Sequence, residues 1–197
     1  MPIAVLTDGL PHHWQQGPGD IHRIPKRRWA WKFRWYLDSV VASPGRTLTR
    51  RQALQLMYYV LNHSQSWERT GVQFVRTHFR WQADILVRFG PQDWSACGPG
   101  SAGCYWWDSA AQKPIAYIGS EHVDNPSFMA ELINMELCGH GAFNMWDMYT
   151  PEHQPYPGGV MGTWEDARKT DYFPSTLEIE AAKTWLRGEA PHVHQHS

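Results

Sequence analysis

The chain has 197 residues, with 18 basic against 19 acidic side chains, a length that suits one domain with a sizeable core or a domain with ordered arms. Charge is balanced without long single-sign runs, which argues against a nucleic-acid or membrane-surface protein, and no apolar run approaches membrane-spanning length. Twelve tryptophans are far above ordinary usage and point to aromatic burial, either in a core or at a surface that docks protein partners or sugars.

Residues 1–25 are rich in Pro, Gly and His without periodicity and read as an irregular arm. They carry neither a charged start nor a long apolar run, so no secretory signal is expected there. "KRRWAWKFRW" is locally basic, but its aromatics alternate with polar residues, which predicts a half-buried strand and not a nucleic-acid arm. Trp29, Trp31, Phe33, Trp35 and Leu37 share one face of that strand. After the turn "SPGR", Thr49 and Gln52 form a capping box, and Ala53, Leu56, Met57, Val60 and Leu61 keep helical spacing to about Asn62. "FRWQADILVRF" predicts a second strand, with Ile85, Val87 and Phe89 on one face.

Cys97 and Cys104 bracket a Gly-rich loop short enough to close as a disulfide, which leaves Cys138 a lone helical thiol. The alternative is three reduced, partly buried thiols. The loop lacks the Lys of a phosphate-binding loop. Trp106 and Trp107 have the chemistry to stack on sugar rings, although packing against the adjacent strand is the default.

"KPIAYIGS" predicts a third strand. Asn125-Pro126 opens a helix to about His140, with proline at the first helical position. The irregular stretch "TPEHQPYPGGVMG" follows. Ser175 then caps a last helix, with Glu178 completing a capping box and Gly188 ending it. The histidines of the arm and tail (His12, His13, His192, His194, His196) read as solvated. This order predicts a single α/β or α+β domain over residues 26–188, with a His-rich tail at 189–197.

"NMELCGH" carries the chemistry. Glu136 and His140, four apart on a helix, share a face and can hold a divalent ion or pair with each other. The motif fits the five-residue zinc-peptidase pattern His-Glu-x-x-His in two registers. In the first, Glu136 takes the place of the first His and Leu137 that of the catalytic Glu. In the second, one extra residue separates Glu from the second His. Glu136 is then the base, His140 a ligand, and Met135 stands where the first His belongs. A local bulge in the helix can absorb the extra residue. Met offers a soft, weak thioether better suited to Cu(I) than to zinc. Asp147 is the candidate third ligand, with Glu152 and His153 as fallbacks. A buried helix whose Glu136 and His140 merely pair is the structural alternative.

"GGVMG", Gly158 to Gly162, resembles the Met-containing turn beneath the metal site of metzincin peptidases, the matrixin group in particular. The order strand, helix, "ADILVRF" is similar to the opening of a matrixin catalytic domain. "IAYIG" resembles its edge strand and "PSTLEIEAAKTWLRG" its last helix. The likeness spans about residues 28–188. It implies a twisted mixed sheet with an active-site helix, Glu136 as base, His140 as ligand and Met161 as the floor of the site. Asp147 as third ligand departs from the family's usual His, and Met135 from its first ligand.

The expectation is a metzincin-like domain with a degenerate metal site. Such a domain is a non-catalytic structural or binding component of a larger assembly, a phage tail or virion part being one setting, with protein partners and a peptide or glycan ligand. The alternative is an active zinc-dependent metallopeptidase, in which the metal activates water and Glu136 takes its proton.

Overall fold

Five extended segments join one mixed sheet, and three helical segments accompany it. The computed structural model describes residues 31–63, 65–92, 97–98, 101–143, 145, 160–161 and 173–187. The expected arm, 1–25, and tail, 189–197, lie outside the described residues. The strands are β1 (Trp31–Val40), β2 (Val72–Arg76), β3 (Ile85–Gly90), β4 (Gly103–Asp108) and β5 (Lys113–Gly119), and the helices are α1 (Arg50–Leu61), α2 (Pro126–Leu132, continuing as a π-helix over Ile133–Ala142) and α3 (Thr176–Leu186). The sheet order is β2-β1-β3-β5-β4, parallel throughout except for β4, which runs antiparallel to β5. The fold is α+β and a single domain, as the sequence predicts.

Side-chain alternation gives the sheet two unlike faces. One carries Trp35, Leu37, Val87, Phe89, Ala116 and Ile118, all buried in the main core. α1 contributes Ala53, Leu56, Met57, Val60 and Leu61 to that core, and burying each large side chain stabilises the fold by about 1.5–3 kcal/mol. The other face holds a smaller cluster, Ala83, Leu86 and Ile115, flanked by Tyr36 and Trp106. An ion network ties this face together: Asp38 of β1 takes both Arg80 and Arg88, and Arg88 reaches Asp108 of β4.

Both predicted capping boxes form, Thr49 with Gln52 and Ser175 with Glu178. Other expectations need correction. "IAYIG" belongs to β5, which lies inside the sheet between β3 and β4; among the described residues the edges are β2 and β4. The predicted second strand begins only at Ile85, because Arg80–Gln82 turn as a 3₁₀ helix. The Asp84 carboxylate there is held by Arg34, accepting from its backbone N–H at 2.7 Å and from Nη2 at 2.8 Å. β2 and β4 were not anticipated. β2 follows a 3₁₀ turn at Trp67–Thr70 ended by Gly71 at φ 95°, a backbone that favours glycine. Trp31 belongs by alternation to the core side of β1 yet is 70% exposed at the strand's start. Among the described residues no helix is long and apolar enough to cross a membrane.

Candidate functional site

The helix that carries the motif starts conventionally and then widens. Asn125 caps it, its side chain accepting from Phe128 N–H at 3.2 Å, with Pro126 in the first turn. From Ile133 to Ala142 the backbone is π-helical. Hydrogen bonds there run from residue i to i+5, so a residue five back stands about where an α-helix places the residue four back. That widening is the geometry the six-residue spacing Met135 to His140 requires.

Two glycines let this helix lie directly on its neighbours. A Cβ on Gly139 would overlap the Met161 thioether, with Met161 Cε at 2.9 Å. A Cβ on Gly141 would stand 2.6 Å from Ile85 Cδ1 of β3. Met161 is fully buried, so its sulfur packs against the turn that carries His140. Its backbone N–H donates to Glu178 Oε1 at 2.6 Å, while Glu178 Oε2 accepts from Ser175 N–H at 2.6 Å. One carboxylate therefore ties the Met161 bend to the start of α3. Burial raises the Glu178 pKa above the ordinary carboxylate range, opposed by these backbone hydrogen bonds.

Glu136 is buried beneath the edge strand. A Cβ on Gly103 of β4 would come 3.2 Å from Glu136 Cγ, 3.3 Å from its Oε1 and 2.8 Å from the Tyr117 carbonyl oxygen, so only glycine fits there without displacement. His140 turns Nε2 toward Glu136, 4.0 Å from Oε2. Its Nδ1 lies 2.6 Å from the Met145 carbonyl oxygen. A carbonyl only accepts, so Nδ1 carries the proton. The neutral ring then has its lone pair on Nε2, the form a metal takes; a cationic ring instead pairs with Glu136. The Tyr105 ring stacks 6.4 Å from the imidazole. By alternation Gly103, Tyr105 and Trp107 share the helix side of β4, and Trp107 is 60% exposed.

The structure thus sets His140 beside Glu136 and seats Met161 against Gly139, the residue before His140. Met135 is half-buried against the main core, five residues before His140 on the π-helix. Asp147, Glu152 and His153 lie outside the described residues. Cys97 and Cys104 are joined in a disulfide, and Cys138 is a buried free thiol whose pKa is pushed well up by burial. The sequence reading missed the roof that Gly103 and Tyr105 make over the pair. It also missed the second use of Glu178: a capping box is local and readable, whereas the bond to Met161 spans the fold.

A catalytic zinc takes three imidazole, thiolate or carboxylate donors and an open position. On the site helix the motif offers one imidazole, His140, one carboxylate, Glu136, and the Met135 thioether. Among the described residues no three His, Cys, Asp or Glu side chains come together to hold a metal ion. These described donors do not by themselves complete a catalytic zinc site; Asp147, Glu152 and His153, the candidates for a further donor, lie outside the described residues. Compared with known proteins, the chain matches no family model and no curated protein.

Proposed function

We propose that the chain is a metzincin-like domain with a degenerate metal site, serving as a non-catalytic binding component of a larger assembly such as a virion. Its ligand is an extended peptide segment of a protein partner. The observation that carries this reading is the site helix itself. Glu136 and His140 lie 4.0 Å apart on the helix that packs on Met161 through Gly139, and a thioether stands where the first metal-binding imidazole belongs. The mixed sheet, the helix packed on it and the capped last helix also suit the resemblance.

β4 supports the peptide. An edge strand presents a row of backbone N–H and C=O groups outward, which an extended chain can pair with. Tyr105 and the exposed Trp107 flank that edge on the helix side, next to His140. Aromatic residues beside a polar rim are what peptide-binding surfaces use as anchors.

The test is a peptide-library binding assay and a cleavage assay on the same sample with zinc supplied. The reading expects binding that Trp107→Ala weakens, and no cleavage. Zinc-dependent cleavage abolished by Glu136→Gln would establish the peptidase instead. That second reading is favoured by one observation: the imidazole is already held by the Met145 carbonyl with Nε2 directed to Glu136, as a ligand histidine is.

A further inference from the structure

We propose that the turn between β2 and β3, at Phe79–Trp81, binds a glycan that bears carboxylate groups. It lies on the face of the sheet that carries the Asp38, Arg88 and Asp108 network, away from Glu136 and His140. The inference is independent of the peptide reading, which concerns β4 and the helix side.

The first observation is a pair of aromatic rings held rigidly in water. Phe79 and Trp81 are 57% and 73% exposed, and their rings stack with centroids 6.0 Å apart. Single exposed apolar residues are ordinary, whereas adjoining exposed rings mark a contact surface. Arg80, between them, reaches the other way, onto Asp38 of β1 at 3.0 Å. The turn is pinned to β1 at both ends: Thr77 N–H donates to the Trp35 carbonyl at 2.9 Å and Asp84 N–H to the Arg34 carbonyl at 2.7 Å. Within it, Gln82 N–H donates to the Phe79 carbonyl, Ala83 N–H to that of Arg80, and Phe79 N–H to Thr77 Oγ1. The rings are in place before a ligand arrives, so binding costs little ordering.

The second observation is the sign of the charge this turn presents. The ion pairs Arg34–Asp84 and Arg80–Asp38 close it on the sheet. In each pair the guanidinium is about half exposed and the carboxylate is the more buried partner. Asp38 is neutralised further by Arg88, and His78 beside Phe79 is exposed. The surface next to the rings is therefore cationic, although the chain as a whole is balanced, and an anionic ligand complements it.

The class of ligand follows from what the turn offers. The amides of Phe79, Gln82 and Ala83 are bonded internally, so the main-chain pairing that β4 offers an extended peptide is not available at these positions. Ring faces and guanidinium forks remain. A sugar ring has an apolar C–H face that lies flat on an indole, and a sugar carboxylate takes a guanidinium through paired hydrogen bonds. A neutral sugar would use the rings and leave the cations without a partner.

The test is titration of the full chain with a panel of uronate- and sialate-bearing oligosaccharides and neutral counterparts of the same length, read by tryptophan fluorescence and calorimetry. Wild type is expected to bind acidic members more tightly than their neutral counterparts, with the gap narrowing as salt is raised. Trp81→Ala is expected to weaken that binding by about tenfold or more. Arg34→Gln, in which the Asp84 carboxylate keeps the backbone N–H at position 34, is expected to bring the acidic sugar down to the neutral level. Circular dichroism of both variants separates loss of the site from loss of fold. No binding to any acidic member would overturn the proposal, and so would equal binding of the neutral counterparts or unchanged binding by Trp81→Ala. A polyglutamate peptide bound as tightly, with the same dependence on Trp81, would replace the glycan by an acidic peptide. A dimer that Trp81→Ala dissociates would replace it by a second copy of the chain. Peptide binding at β4, read with Trp107→Ala, is expected to be unchanged in Trp81→Ala, so the two readings fail separately.

Discussion

Gly139 is the residue on which the site helix turns over Met161. A methyl group there has no room, because the Met161 sulfur and Cε already fill the space. Gly139→Ala is expected to lower unfolding stability by about 1–3 kcal/mol, the usual cost of overpacking, read from the urea midpoint. Met161→Ala empties the same space. The double variant should therefore lose less than the sum of the two single losses, and strict additivity would mean that the two residues do not meet. His63 makes a second residue-scale prediction. Burial lowers its pKa, its ring stacks on Phe173 at 4.0 Å, and Nδ1 accepts from Gln65 N–H. The folded pKa lies below the unfolded one, so stability is level above the ordinary histidine range. It falls as pH drops through that range toward the folded pKa. Melting curves between about pH 8 and 5 should show this slope. Replacing His63 with Phe should remove part of it, since His122 is lowered in the same sense, chiefly by burial. None of this was visible in the chain. Spacing marked Glu136 and His140, but no pattern says that Gly139 faces a thioether or that His63 is stacked.

At the scale of the element, legibility follows how local the cause is. Thr49 with Gln52 and Ser175 with Glu178 were readable because a capping box closes within four residues. The π-helix was foreseen only as a bulge able to absorb one residue. Its extent, Ile133–Ala142, accompanies close approaches of Gly139 to Met161 and of Gly141 to Ile85, partners distant in sequence that no local pattern marks. β4 was hidden because "GCYWWD" puts aromatic residues on both faces, so no alternation of apolar and polar residues marks it. The edge role assigned to "IAYIG" failed for the converse reason: β5 pairs on both sides. Glu178 makes the element-scale prediction. Glu178→Gln keeps one acceptor oxygen and sets an amide donor against a backbone N–H, at Met161 or Ser175. It should cost about 1–3 kcal/mol, measured by denaturant unfolding. An unchanged midpoint would mean that the bend is held by packing alone.

For the whole molecule, the sheet and the disulfide set what the site can do. The Cys97–Cys104 bridge joins residues seven apart and ends on the strand that roofs Glu136 and His140. Loop-closure entropy gives such a bridge about 2–3 kcal/mol of stability. A Cys97→Ser, Cys104→Ser variant should lose about that much at its denaturation midpoint, and wild type under reductant should lose the same. The class of the fold was legible because the order of strands and helices limits the architectures. The strand order was not, because β2 escaped notice and parallel pairing leaves no local mark. The central proposal is that Met135, standing where a metal-binding imidazole belongs, leaves the paired Glu136 and His140 unable to hold zinc. Its most direct test is zinc bound per chain, counted by native mass spectrometry at equal free zinc in wild type and Met135→His. The account predicts no stoichiometric zinc in wild type and one ion in Met135→His. One tightly held zinc in wild type, unchanged by the substitution, would contradict it.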